Sequence, residues 1–74
     1  MEHTPKELLN LIFDISSIKN INKICLAIKM PDESTELIIN QDAKAKIEYI
    51  ERDYDDDLKL KTNNDIQIVS YMFY

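Results

Sequence analysis

Apolar residues recur along this chain with two different periods, and the changes of period divide it into six elements. After Thr4, residues Leu8, Leu11, Ile12, Ile15 and Ile18 fall at helical spacing, with Leu9 and Phe13 widening the stripe. Thr4 can act as N-cap, Pro5 takes the first helical position, and Glu7 completes a Thr-x-x-Glu capping box. The spacing predicts a first helix that fades between Ser16 and Asn20. In NKICLAIKM the period shortens to two, with Ile24, Leu26, Ile28 and Met30 on one side and Cys25, Ala27 and Lys29 on the other. PDES reads as a turn and TELIIN as a returning strand, so the pair is expected to form an antiparallel hairpin.

The segment QDAKAKIEYIERDY admits two readings. As a helix it places Ala43, Ile47, Ile50 and Tyr54 on one face, with Asp42 as cap and Lys44–Glu48 and Glu48–Arg52 at i,i+4. As a strand, KIEYIE alternates briefly before Ile50 breaks the pattern. The helical template matches more positions and has the better propensities, so residues 42–54 are read as a second helix. DLKLKTNNDIQIVSYMFY then forms a second hairpin, with Leu58 and Leu60 alternating, TNND as the turn, and Ile66, Ile68, Ser70 and Met72 continuing the alternation.

Residues 1–74 are thus expected to form a single α+β domain of helix-hairpin-helix-hairpin order (αββαββ). Its four-stranded, mostly antiparallel sheet would carry both helices on one face. That face would hold Ile24, Leu26, Ile28, Leu37 or Ile38, Leu58, Leu60, Ile66, Ile68 and Met72. The other would hold Cys25, Ala27, Lys59, Lys61, Gln67, Val69, Tyr71 and Phe73. Val69, Tyr71 and Phe73 would then form an exposed apolar patch, which marks them as a candidate partner or dimer interface.

Composition narrows the chemistry. The chain has no glycine in 74 residues, which removes the backbone on which phosphate loops, dinucleotide fingerprints and EF-hand loops depend, and leaves turns to Asn, Asp, Ser and Pro. One Cys and one His exclude an intrachain disulfide and make a zinc site improbable, so oligomerisation is the remaining common support for so small a core. A homodimer is expected on that ground. The lone cysteine fits a reducing compartment, MEHTPKELLN lacks the marks of a signal peptide, and no apolar run exceeds five residues, so a cytoplasmic location away from membranes is expected.

The whole net charge of −5 sits in residues 48–57, where six acids face Arg52 alone. Direct nucleic-acid binding is disfavoured, since it requires a concentrated positive patch. Glu51, Asp53, Asp55, Asp56 and Asp57 admit several roles: a docking patch for a basic protein surface, a partial imitation of nucleic acid, or a well-solvated turn. A calcium loop is disfavoured, because Leu58 occupies the position where the EF-hand needs glycine and Asn64 the position of its bidentate Glu. No metal, cofactor or small-molecule substrate is expected. His3 and Cys25 have no evident catalytic partner, and the carboxylates lie where burial would not separate their pKa values, so an enzyme is not expected.

The layout, including KIEYIERDYDDDLKL and the closing IQIVSYMFY, resembles many short uncharacterised proteins of phages and prophages in low-GC Gram-positive bacteria. The abundance of Ile, Lys, Asn and Asp agrees. The resemblance implies a setting in which small acidic proteins bind and inhibit host machinery, and it transfers no functional residue. The expected function is therefore a small acidic protein–protein interaction module acting by non-catalytic binding, as a phage-encoded accessory or inhibitor of a host protein. The alternatives are a nucleic-acid mimic that blocks a DNA-binding protein and a purely structural homodimeric subunit.

Overall fold

The computed structural model describes residues 2–74. In chain order its elements are α1 (Pro5–Ile18), β1 (Lys23–Lys29), β2 (Thr35–Asp42), α2 (Ala43–Asp53), β3 (Lys59–Leu60) and β4 (Asn63–Phe73). The fold is α+β, with two helices and a four-stranded sheet in the order β2-β1-β4-β3, every neighbouring pair antiparallel.

The start of α1 leaves no backbone donor idle. Pro5 has no N–H to satisfy, the Lys6 N–H donates to Asp56 O at 3.1 Å, and the Glu7 N–H donates to Thr4 Oγ1 at 3.2 Å. The Thr4 N–H donates back to Glu7 Oε1, which completes the capping box. At the other end, Asn20 takes a left-handed φ of 62°. Its N–H donates to Ser17 O and the Ile21 N–H donates to Ser16 O, the paired bonds of a Schellman stop. Asn is the cheapest residue for that conformation in a chain without glycine.

Residues 43–53 are helical. Asp42 Oδ2 caps the helix by accepting from the Ala45 N–H, and Ala43, Ile47, Ile50 and the following Tyr54 are all buried. They meet Leu9 of α1 and Ile24, Leu26 and Ile28 of β1, with Leu58 and Ile68 completing the core. Arg52 turns to Asp53, at 3.2 Å, and not to Glu48.

Three expectations change. First, α1 is rotated from the orientation its stripe suggests. Lys6, Leu9 and Ser16 are buried and Phe13 packs on the core, while Leu8, Leu11, Ile15 and Ile18 face outward. The reason is Lys6, whose Nζ donates to Glu51 O at 2.8 Å and Tyr54 O at 2.6 Å, the free carbonyls at the end of α2. A cation at a helix C-terminus is favoured by the local dipole, and bonding these two carbonyls draws the Lys6 side of α1 inward.

Second, β4 changes phase along its length. Ala27 pairs with Ser70 and Ile28 with Ile68, so Val69 is the extra residue of a β-bulge. One inserted residue moves every later side chain to the other face. Tyr71 and Phe73 therefore pack on the core, with Phe73 6.0 Å from Phe13 between ring centroids, while Met72 points away opposite Cys25. The placement of Val69, Tyr71 and Phe73 together on the helix-free face is corrected accordingly. In β2, Ile38 packs on the core, while Leu37 and Ile39 lie exposed.

Third, β3 is only two residues long, and the turn falls at Lys61–Thr62, so β4 already begins at Asn63.

Lys6→Ala strands the two α2 carbonyls and is expected to cost about 1–3 kcal/mol of stability. Leu11→Ala, on the outward side, is expected to cost less than about 0.5 kcal/mol when the chain is dilute enough to be monomeric. Urea midpoints measure both; equal losses at the two positions would contradict the rotation of α1.

Candidate functional site

The acidic segment is built into the fold before it is offered to solvent. Asp55 Oδ1 accepts from the backbone N–H groups of Asp57 and Lys59, both at 2.9 Å, and the Asp55 N–H donates to Lys59 O. This is an Asx-type turn, which the short Asp side chain can close where glycine is absent. Leu58 follows with φ of 63°, a conformation that costs a leucine roughly 1–2 kcal/mol. Its side chain is fully packed in the core, and such burial contributes about 1.5–3 kcal/mol, enough to hold the strained backbone. The position where an EF-hand would place glycine does adopt a left-handed turn here, filled by a core leucine.

The five acids divide by partner. Asp53 pairs with Arg52, Glu51 Oε2 accepts from Asn10 Nδ2 at 3.1 Å, and Asp55 closes its own turn. Among the described residues, only Asp56 and Asp57 of this set have carboxylates with neither a hydrogen bond nor an ion pair. Their backbones are fixed: Asp56 O accepts from the Lys6 N–H, and Asp57 O accepts from Gln67 Nε2 at 3.2 Å. The two free charges are thus held in place by groups other than their own side chains. Among the described residues no group of three His, Cys, Asp or Glu side chains is arranged to hold a metal ion.

Beside Asp57 the sheet has an open edge. Pairing between β3 and β4 stops at Gln67, and the Ile68 N–H donates to Leu58 O. Beyond that point β4 has β1 on one side and a groove of about 430 Å³ on the other. Leu8 and Pro5 of α1 form one wall, Leu58 and Ile68 the floor, and Asp57, Val69 and Tyr71 line the remainder. Two of the three residues marked for an interface and one of the five acids therefore share this groove. Phe73 lies in the core layer, and Asp53, Asp55, Asp56 and Glu51 are not among the groove's lining residues.

The helix-free side of the sheet carries a smaller depression of about 290 Å³, lined by Cys25, Ala27, Leu37, Ile39 and Met72 and reached also by Tyr71. Tyr74 is exposed, and its hydroxyl accepts from the Asn40 N–H at 2.8 Å, across β1 at the point where β2 bulges. His3 lines the edge groove and Cys25 the opposite face, so the sheet separates them.

No protein-family model, curated protein or solved structure matches this chain. No helix of the described residues is long and apolar enough to cross a membrane.

Sequence reasoning missed Lys6 and Leu8. Lys6 reads as the polar interruption of an amphipathic helix, and nothing local shows that its ammonium meets α2. Leu8 reads as core.

Burial holds the Tyr54 hydroxyl above the usual phenol range, with Tyr49 adding to the effect, and burial alone does the same for Tyr71. Both groups are favoured in their neutral form when folded. Their contribution is complete below the unfolded value near pH 10 and is lost as pH rises through the raised folded values. Urea midpoints between about pH 9 and 11.5 should fall, and Tyr71→Phe should make the fall shallower; an identical slope in that variant would remove Tyr71 from the account. Independently, Asp55→Ala should lower stability by about 1–2 kcal/mol, and Asp56→Ala should change it by less than about 0.5 kcal/mol.

Proposed function

We propose that this chain is a small acidic protein–protein interaction module that acts by non-catalytic binding. Its working surface is the groove at the free edge of β4. The observation that carries this reading is that Asp57 lines one groove with Val69 and Tyr71 of β4, although it belongs to a separate segment of the chain. An apolar floor, an open strand edge and an adjacent free carboxylate suit an extended segment with alternating apolar and basic side chains. The backbone of such a segment would continue the sheet, and its cation would lie over Asp57 with Asp56 near by.

The helix-hairpin-helix-hairpin layout (αββαββ), with both helices on the Ile24–Leu26–Ile28 face, favours this use. The groove forms where α1 ends its cover of the sheet, so no element has to move to open it. The partner class is a protein with a basic surface, and the resemblance to phage and prophage proteins points to a host protein under inhibition or accessory control. Imitation of nucleic acid is less well supported, because Glu51, Asp53 and Asp55 are occupied within the fold and two free carboxylates cannot reproduce a phosphate row. Binding without catalysis also accords with His3 and Cys25 lying on opposite faces of the sheet.

An extended Lys/Val-alternating peptide titrated into labelled protein is expected to shift the backbone amides of Asp57, Val69 and Tyr71, with affinity falling as salt rises. Asp56→Asn with Asp57→Asn should weaken binding roughly three- to tenfold and flatten the salt dependence. Shifts confined to Leu37, Ile39 and Met72 would place binding on the other face and remove the groove from the proposal.

A further inference from the structure

Leu8, Leu11, Ile15 and Ile18 follow one another at steps of three, four and three, the a/d spacing of a two-heptad seam. All four are exposed, Ile15 at 55% and Ile18 at 83%. The inward side of the same helix repeats the spacing with Lys6, Leu9, Phe13 and Ser16, of which only Leu9 and Phe13 are apolar, so the fold covers this side and leaves the fully apolar seam open. The uncovered seam stands on a helix fixed at both ends by the capping box and the Schellman stop, and its ordering cost is already met in the monomer.

We propose that α1 pairs in parallel with α1 of a second copy of this chain, about a two-fold axis along the Leu8–Leu11–Ile15–Ile18 seam. The charges beside the seam select both the occupant and the direction. With Leu8 and Ile15 at a, Glu7 and Asp14 fall at g on one flank, and Ile12 and Lys19 at e on the other. In a parallel pair, g of one helix meets the following e of its partner, so Asp14 faces the partner's Lys19 and Lys19 faces the partner's Asp14. An antiparallel pair would set g against g and bring Glu7 and Asp14 together with like charges. Asp14 and Lys19 are exposed and have no ion-pair partner among the described residues, so both are available. A two-fold axis makes the seam self-complementary, as an isologous interface requires. The seam shares only Leu8 with the groove, and the proposal does not rest on the groove reading, since Ile15, Ile18, Asp14 and Lys19 do not line the groove.

The test is absolute mass by sedimentation equilibrium across a concentration series, with amide spectra confirming the fold of each variant. The wild type is expected to be a dimer and Ile15→Glu a folded monomer. Asp14→Lys sets like charges at both symmetric pairs and should weaken dimerisation roughly tenfold, as should Lys19→Asp. The double exchange, Asp14→Lys with Lys19→Asp, should restore the wild-type constant to within about threefold. A wild-type monomer throughout the series, an Ile15→Glu dimer of unchanged affinity, or a tighter dimer for Asp14→Lys would each overturn the proposal. The last result would indicate antiparallel pairing. Since the exchange variants alter only exposed charges, they decide the question even if Ile15→Glu fails to fold.

Discussion

The bonds from Lys6 to the end of α2 are the constraint on which the rest of this structure depends. One ammonium closes the carbonyls of Glu51 and Tyr54, while the N–H of the same residue holds Asp56 O. A single residue, through its side chain and its backbone N–H, thus joins α1, the C-terminus of α2 and the acidic turn. The effect is large because the site is nearly dry: Lys6 is 8% exposed, and a carbonyl left unpaired there would bear its full desolvation cost. The clamp also sets the rotation of α1. With Lys6 inward, Leu9, Phe13 and Ser16 must follow, and Leu8, Leu11, Ile15 and Ile18 must face out.

The bulge at Val69 has a similar reach. Without it, Tyr71 and Phe73 would continue on the bare face of the sheet and Met72 would be buried. With it, the two aromatic rings join the core layer, where Tyr71 and Phe73 lie 6.0 Å apart edge to face and Phe73 meets Phe13. Val69 and Tyr71 then come to the edge groove from different directions, Val69 as the exposed bulge residue and Tyr71 from the core side. The strained Leu58 sets part of the floor, and its buried side chain brings Asp57 to the rim. The site is thus assembled from two departures from regular backbone, each stabilised by core packing.

The described residues span 36 × 31 × 18 Å between their extreme Cα positions, the proportions of one helical layer on one sheet. So thin a body leaves apolar side chains on both outer surfaces. Leu37, at 71% exposure, and Ile39, at 66%, lie on the helix-free face, and the α1 seam lies elsewhere. Charge separates their roles. The seam has an acidic flank and a flank that carries Lys19, which can specify a partner and a direction, whereas the central part of the sheet face, with Cys25, Ala27, Leu37, Ile39 and Met72, has no charge of its own. The groove combines an apolar floor with one adjoining carboxylate.

Local pattern was enough wherever the interaction itself is local. The Thr4–Glu7 capping box, the Asp42 cap, the buried face of α2 and the hairpin of β1 with β2 were legible because each depends on residues a few positions apart. The α+β class followed from the succession of periods. The edge groove was only partly legible: its residue types were evident, but not that Asp57 and Val69 would meet beside Leu8. Three matters required the tertiary structure. The two sides of α1 share one spacing, and periodicity cannot foresee that the less apolar side is buried because it brings a lysine to another helix. A bulge is a decision between the ladders on either side of a strand, so the phase of β4 beyond Ile68 is absent from the alternation of its own residues. The short β3, which leaves the edge of β4 open, reflects the early turn at Lys61–Thr62 and the strained Leu58 held by the core. Sequence alone determined which elements form, because their signals are carried by neighbours. The tertiary structure decided which faces they present, because that depends on hydrogen bonds and packing between residues far apart in the chain.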